Sequence, residues 1–210
     1  MMAQLNASTF DASAFQEATG VSRETLDRLT AYETMLRKWQ PKINLVGPST
    51  LPDLWRRHFY DSAQLLPLLP DPARVLVDLG SGAGFPGLVL AILGVHEVHL
   101  IESDSRKAAF LREAARVAGA AVTVHNKRIE AVSGLAADVV TARALAPVAD
   151  LLAWAVPLMG PQRVGLFLKG QALDDELTAA AKSWTMRAER FDSRTDPTGT
   201  ILRVSGIARV

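Results

Sequence analysis

The sequence has no cysteine, and its charges nearly cancel. Among 210 residues there are 23 Lys and Arg and 22 Asp and Glu, which gives a formal net charge of +1. Without cysteine the chain can form no disulfide, no thiolate metal site and no cysteine nucleophile. A net charge this small gives no sign of a polyanionic partner, so a surface for nucleic acid would have to come from local clusters of cations.

Long hydrophobic runs are also missing. No stretch reaches the roughly 18 to 20 apolar residues that cross a bilayer, and the N-terminus has no basic start followed by an apolar block. The four histidines, at positions 58, 96, 99 and 125, have no ligand spacing with supporting carboxylates, so no metal site is expected. We therefore expect a soluble, cytoplasmic protein. The hydrophobic content of 49% is ample for the core of one domain.

Beyond residue 73, apolar strand patterns alternate with helical ones, which predicts an α/β fold. Strands are predicted over 75–78, 96–102, 121–125, 137–142, 164–168, 187–192 and 200–209, and helices over 88–93, 105–118, 148–159 and 174–184. The last two strands are joined by the turn 196–199 and read as a hairpin. We expect a doubly wound, mostly parallel sheet of seven strands with a C-terminal antiparallel hairpin.

The N-terminal third is predicted to be helical. Apolar residues recur at helical spacing from Leu26 to Trp39, with Ser22 placed to cap the helix and Pro41 to end it. Trp39 continues this apolar stripe and is therefore expected in the core. Residues 43–72 are rich in proline and are expected to form short helical pieces and turns.

Glycines crowd the segment that follows the first strand, VLVDLGSGAGFPGLVLAI at residues 75–92. Because glycine costs backbone entropy, such a cluster indicates that something approaches the main chain where a Cβ would block it. In open α/β sheets, ligands bind beyond the carboxyl ends of the strands, where the strand order reverses. The loop is therefore predicted to bind a ligand.

Two cofactors compete for this loop. Gly82-x-Gly84-x-x-Gly87, with Glu102 at the end of the next strand, matches the dinucleotide fingerprint of NAD proteins. Asp78-x-Gly80-x-Gly82-x-Gly84 has the form that resembles class I S-adenosylmethionine-dependent methyltransferases. The acid before the first glycine favours the second interpretation, since it can satisfy an ammonium group but would repel a pyrophosphate. Nicotinamide chemistry and a glycine-rich turn without ligand are the alternatives.

The resemblance extends well beyond the loop. The segments DLGSGAGFPGLVLAI, IESDSRKAAFLREA, NKRIE, TARAL and LFLKG, in this order and spacing, resemble the bacterial 16S ribosomal RNA guanine-N7 methyltransferases, the methyltransferase G or glucose-inhibited division protein B family. KINLV and RHFYDS resemble its N-terminal signatures, and Thr141 stands where the family often has Ser. The resemblance implies a Rossmann-like class I methyltransferase domain over residues 73–210, with residues 1–72 as a helical extension packed on it.

The resemblance also implies a cofactor site. Gly80 and Phe85 would line the S-adenosylmethionine site, and Glu102 would bind the ribose. Ile129 and Glu130 would contact the adenine, and Arg143 would lie beside the methionine end and the target base. Asp78, Gly82 and Gly84 complete the expected site. Alternatives stay open at three positions. Asp78 could hold the loop backbone, Glu130 could pair with a surface cation, and Arg143 could form an ordinary salt bridge.

Local cations give RNA binding a separate basis. Residues 34–58 contain Arg37, Lys38, Lys42, Arg56 and Arg57 against the single acid Asp53, with Trp39, Trp55 and His58 interleaved. Such a stretch can neutralise phosphates and stack bases, although Arg56 and Arg57 could also form a solvated face. Arg56, Arg57, His58 and Lys169 are predicted to contact substrate RNA, the last because it ends the fifth strand.

We therefore expect an enzyme that transfers a methyl group directly to N7 of a guanine in 16S rRNA, in the 530 loop that the resemblance implies. N7 already has an in-plane lone pair, so no general base is required, and Arg143 is expected to position the reacting groups. The partner would be 16S rRNA or the 30S subunit, and the enzyme a monomer. A methyltransferase for another RNA or a small molecule is the alternative if the basic stretch is buried, and a nucleotide-binding redox sensor if NAD(H) binds instead.

Overall fold

The computed structural model describes residues 10–71 and 75–210, and it contains one seven-stranded sheet with the order β3-β2-β1-β4-β5-β7-β6. The strands are β1 (Val75–Leu79), β2 (Glu97–Ile101), β3 (Val122–His125), β4 (Ala137–Arg143), β5 (Met159–Lys169), β6 (Trp184–Asp192) and β7 (Thr200–Arg209). The first five pair in parallel, and β7 runs antiparallel to both β5 and β6. The predicted fold, including the C-terminal hairpin, is confirmed.

Helices cover both faces of this sheet. They are α1 (Ala12–Thr19), α2 (Arg23–Trp39), α3 (Asp61–Ala63), α4 (Gly87–Ile92), α5 (Ser105–Val117), α6 (Val148–Ala155) and α7 (Leu173–Ala180), with 3-10 turns at Pro48–Asp53, Leu66–Leu68, Ile129–Ala131 and Val156–Leu158 and a π-helical turn at Trp55–Tyr60. The predicted cap of α2 is confirmed, because the Ser22 hydroxyl accepts a hydrogen bond from the Thr25 N–H at 3.1 Å. None of the helices in these two ranges is both long and apolar enough to cross a membrane.

Two predicted helices are too long at their C-terminal ends. The helix predicted over 148–159 ends at Ala155 and passes into a 3-10 turn, because Pro157 has no N–H for the helical ladder. The helix predicted over 174–184 ends at Ala180, and Trp184 instead begins β6, paired with Arg209. Tertiary pairing with β7 and burial of Trp184, which is 6% exposed, outweigh its helical spacing.

The N-terminal helices share a hydrophobic core with one face of the sheet. Phe15 and Tyr32 pack in the same cluster as Leu76, Leu88 and Phe110. Trp39 packs against this cluster as predicted, with its ring centroid 5.8 Å from that of Phe110. The boundary predicted between residues 72 and 73 lies outside the described residues, so the division into an extension and a domain stays a prediction.

Candidate active site

The glycine loop joins β1 to α4 at the centre of the sheet, and a buried carboxylate organises it. Asp78 is fully buried, and its oxygens accept hydrogen bonds from the Thr141 hydroxyl at 2.7 Å and the Gly87 N–H at 3.3 Å. Burial raises the pKa of Asp78 to about 6, although these hydrogen bonds lower it. Asp78 therefore holds the loop backbone, which was the alternative to a direct contact with the cofactor.

The loop glycines differ in what occupies the space of the missing Cβ. A Cβ on Gly87 would lie 2.6 Å from Asp78 Cβ, and one on Gly84 would lie 2.7 Å from Tyr32 Oη. Gly84 was expected to bind the cofactor, but its open side is filled by α2. At Gly82, with φ +55°, a Cβ would meet nothing nearer than the Gly80 carbonyl oxygen at 3.8 Å. Gly82 thus presents bare main chain to open space.

Two adjoining clefts lie beyond the carboxyl ends of the strands. The smaller cleft, of about 330 Å³, contains Glu102, Ile129 and Glu130 together with Trp154 of α6. The larger cleft, of about 750 Å³, lies over the ends of β4 and β5. The residues that line both are Gly80, Gly82, Arg143, Ala144 and Leu145. The structure thus assembles most of the predicted cofactor residues around these two adjoining clefts, which Asp78 and Gly84 do not line.

Glu102 connects the glycine loop to the end of β2. One carboxylate oxygen accepts from the Gly82 N–H at 2.9 Å and the other from the Asp104 N–H at 2.7 Å. Each oxygen keeps a further lone pair, so the carboxylate can also accept from hydroxyl groups of a ligand. Ile129 is half-buried beside it. Glu130 is exposed, 3.8 Å from the Arg128 guanidinium, and so forms the surface ion pair that the alternative required.

Arg143 ends β4 at the boundary between the clefts. Its guanidinium lies 5.0 Å from the Phe85 ring centroid and donates to the Arg57 carbonyl at 3.2 Å and to Asp61 at 3.4 Å. Burial lowers the pKa of Arg143, and the Asp61 carboxylate opposes this effect. Arg143 therefore forms the salt bridge that was considered as an alternative, and it also lines both clefts of the candidate site.

Asp61 also connects two segments that are far apart in the sequence. It accepts from the Thr195 hydroxyl at 2.6 Å, although these residues are 134 positions apart, and nearby Arg57 pairs with Asp196 at 3.1 Å. Segment 57–61 and the hairpin loop thus close around Arg143. The sequence motif RHFYDS placed Asp61 in the floor of the site, but Thr195 and Asp196 were missed, because nothing local indicates that they meet this segment.

His58 lines the larger cleft as a neutral imidazole. The Thr50 hydroxyl donates its one proton to the Gly47 carbonyl at 2.8 Å, so it accepts from His58 Nε2 at 2.7 Å. Nδ1 is then an unprotonated acceptor, buried and without a partner among the described residues. Burial, with the charges of Arg143 and Arg57, lowers the pKa of His58 to about 3.

The predicted RNA contacts differ in exposure. The Lys169 ammonium lies 2.6 Å from Glu176 and donates to the Ala146 carbonyl at 2.8 Å, and its side chain is only 8% exposed. Lys169 is thus held by an ion pair and a hydrogen bond within the protein, and its contact with RNA stays a prediction. Arg56 is exposed, with Asp53 3.8 Å away.

The aromatic residues of the basic stretch do not form a stacking surface. Trp55 is buried and donates to Glu33 at 2.8 Å, and Trp39 packs on the core. The cations among them stay exposed at Arg37, Lys38, Lys42 and Arg56. The stretch therefore offers charge without base-stacking platforms. Across residues 10–71 and 75–210, no group of three or more His, Asp and Glu side chains could hold a metal ion.

The strand order, the antiparallel final pair and the clefts beyond the ends of β1, β2 and β4 define the fold of the class I S-adenosylmethionine-dependent methyltransferases. A putative O-methyltransferase from Klebsiella pneumoniae shares the fold with TM-score 0.58 and 16% identity, over 92% of this chain and 95% of that one. An O-methyltransferase from Bacillus cereus, solved with SAH, gives TM-score 0.57 and 16% identity over 91% and 99%.

Sequence comparison is more specific. The model of the family rRNA small subunit methyltransferase G matches residues 25–196. The Ribosomal RNA small subunit methyltransferase G of Rhodospirillum centenum is 64% identical over 205 residues, 98% of this chain and 95% of that protein. Its counterpart from Rhodospirillum rubrum is 61% identical over 196 residues, 93% and 98%. This chain belongs to the rRNA small subunit methyltransferase G family, which confirms the predicted resemblance.

Proposed function

We propose that the protein methylates N7 of a guanine in the 530 loop of 16S rRNA, with S-adenosylmethionine as methyl donor. The observation that carries this proposal is the match to the family over residues 25–196, with relatives above 60% identity over nearly the whole chain. The guanine, its N7 atom and the loop come from the resemblance of the motifs. We also place the protein in the cytoplasm, as a monomer acting on 16S rRNA or the 30S subunit.

The residues of the smaller cleft fit the cofactor. Glu102 keeps free lone pairs for the ribose hydroxyls, and Ile129 offers an apolar surface for adenine, with Glu130 at its edge. Gly82 presents main chain where a Cβ would project into open space. The methionine end would then extend past Gly80 towards Phe85 and Arg143 in the larger cleft.

The site is built for alignment and charge, with no proton to move. When bound, the cofactor would supply a methyl group on a sulfonium: the N7 lone pair would form the new bond, the S–CH₃ electron pair would return to sulfur, and the base would take the positive charge. His58 stays neutral and is not needed as a base. Arg143, balanced by Asp61, presents donors suited to guanine O6 or a phosphate.

The RNA would approach along the π-helical turn. Arg57 and His58 line the larger cleft. Arg56, the preceding residue of the same turn, is exposed to solvent. Cations at this turn would bind phosphates and increase affinity without specifying sequence. The exposure of the basic stretch supports an RNA substrate over the small-molecule alternative, which required that stretch to be buried.

The test is to map the methylated atom. Small-subunit particles from a strain lacking the protein are incubated with labelled S-adenosylmethionine, and the RNA is probed by chain cleavage specific for N7-methylguanosine. We expect one labelled guanine, in the 530 loop, and none with Gly82→Val, whose side chain would project into the space that the cofactor needs. Label at a pyrimidine carbon or an exocyclic amine, or calorimetric binding of NAD(H) but not of S-adenosylmethionine, contradicts the proposal.

A further inference from the structure

Leu145 is an exposed leucine at the junction of the two clefts. It is 36% exposed and lines both of them. Its side chain covers the bare main chain of Gly80: a Cβ on Gly80 would lie 2.6 Å from Leu145 Cδ1 and 3.1 Å from Cδ2. The missing Cβ of Gly80 therefore makes room for a side chain of the protein itself.

The loop that carries Leu145 is held on both sides. Arg143 is hydrogen-bonded to the Arg57 carbonyl and to Asp61, and the Ala146 carbonyl accepts from Lys169 at 2.8 Å. Between these anchors Ala144 has φ +50°, a left-handed conformation that is unfavourable for a non-glycine residue. Such strain persists only where the surroundings enforce it, and it concentrates at functional sites. Leu145 is thus placed on Gly80 by a strained backbone conformation at Ala144.

The position matters because of what meets there. If the smaller cleft holds the nucleoside half of the cofactor and the larger cleft the target base, the methyl group has to cross between them at this junction. In-line displacement is sensitive to alignment, and a misplacement of about 1 Å can cost about 100-fold in rate. An apolar side chain at the crossing also keeps water away from the reacting groups.

We propose that Leu145, packed on Gly80, is a positioning residue for methyl transfer: an apolar wall that separates the two clefts and confines the reacting ends of cofactor and base. The proposal rests on the proposed function. It assigns Gly80 an indirect role, since Gly80 acts by accommodating Leu145.

The test is a double-mutant cycle with two measurements, the dissociation constant of S-adenosylhomocysteine by calorimetry and the single-turnover rate of RNA methylation. Leu145→Ala should change the dissociation constant by less than about threefold while slowing transfer at least about tenfold. Gly80→Ala should behave similarly, because its Cβ displaces Leu145. Gly80→Ala should slow the Leu145→Ala enzyme by less than it slows the wild type, because the part of its effect that acts through Leu145 is gone and only the backbone strain at φ +61° remains.

Matched variants separate this role from general damage. Gly82→Ala imposes the same kind of backbone strain, at φ +55°, but its Cβ meets no part of Leu145, so Leu145→Ala should not suppress its effect. Leu66, 39% exposed and outside both clefts, should tolerate Ala with both measurements unchanged. Leu145→Met should retain most of the rate, and Leu145→Asn, similar in size but polar, should be as slow as Leu145→Ala.

Three results would overturn the assignment. If Gly80→Ala slows the Leu145→Ala enzyme as much as the wild type, Gly80 serves the ligand directly. If Leu145→Ala weakens S-adenosylhomocysteine binding as much as it slows transfer, Leu145 is only a cofactor contact. If the wild type binds the cofactor but Leu145→Ala changes neither quantity, Leu145 has no positioning role. A wild type that binds no S-adenosylhomocysteine and methylates no RNA would instead refute the proposed function, and this inference with it.

Discussion

Replacing Asp78 by Asn tests how the buried carboxylate supports the glycine loop. Asp78 is fully buried and accepts from the Thr141 hydroxyl and the Gly87 N–H. Asn can accept from Gly87 through Oδ1 and donate to the Thr141 oxygen through Nδ2. The substitution therefore removes a buried charge with little change in shape.

The size of the effect follows from the pKa of Asp78, which burial raises from its ordinary value of 3.8 to about 6. An acid with a raised pKa contributes stability that is complete below pH 3.8 and is lost as the pH rises through about 6. The difference between these pKa values corresponds to roughly 3 kcal/mol at pH 7.5. Asn avoids this cost, and less favourable hydrogen bonding offsets about 1 kcal/mol of the gain.

We therefore expect Asp78→Asn to be more stable than the wild type by about 2 kcal/mol at pH 7.5, and about equal near pH 4.5. Urea denaturation at both pH values measures the difference. Asp175→Asn, on the exposed face of α7, is the control and should change the free energy of unfolding by less than about 0.5 kcal/mol at either pH. The reasoning is refuted if Asp78→Asn is less stable at pH 7.5, or if its difference from the wild type is the same at both pH values.

The same variant separates the two roles considered for Asp78. Because the carboxylate has no exposed surface, the Asn variant should bind S-adenosylhomocysteine within about threefold of the wild type. Loss of binding in a folded, stable variant would show that the carboxylate acts on the ligand's ammonium group after all.

Three further predictions concern the clefts. Glu102→Gln leaves one acceptor for the two N–H groups of Gly82 and Asp104, so S-adenosylhomocysteine affinity by calorimetry should fall about 10- to 100-fold, and an unchanged affinity would contradict this. Lys169→Ala removes the ammonium that pairs with Glu176 and leaves this carboxylate only the Val148 N–H, so it should lower the free energy of unfolding by about 3 kcal/mol without changing the salt dependence of RNA binding. Arg56→Ala should instead reduce the slope of log affinity against log salt concentration by about 1. The opposite pattern would support Lys169 as an RNA contact. Arg143→Lys keeps the charge but loses the planar guanidinium that donates to the Arg57 carbonyl and to Asp61. The single-turnover rate of methyl transfer should fall about 100-fold while cofactor affinity is retained. An equal loss of rate and affinity would argue against a role of Arg143 at the target base.

The order of elements was predictable because its signals are local. Short apolar runs marked the strands, Ser22 marked the start of α2, and the 196–199 turn marked the final hairpin. The end of α7 was not predictable in the same way. Trp184 has a spacing compatible with a helix, and only its pairing with Arg209 and its burial place it in β6.

The same limit applies to the site. The contiguous motifs indicated the family, the glycine loop and Asp61 in the floor of the site. They did not indicate Thr195, because its contact with Asp61 exists only in the folded chain. Lys169 had the right position at the end of β5, yet its ammonium is taken by Glu176, a partner on α7 that the sequence does not identify.

By itself, the sequence determined that the loop after β1 can adopt the positive φ angles found at Gly80, Gly82 and Gly84, because this conformational freedom belongs to glycine itself. Only the tertiary structure decided what each glycine is for, since the atom that occupies the place of a missing Cβ comes from another element of the fold. Tyr32 fills it at Gly84, Asp78 at Gly87 and Leu145 at Gly80, and Gly82 alone of these glycines faces open space.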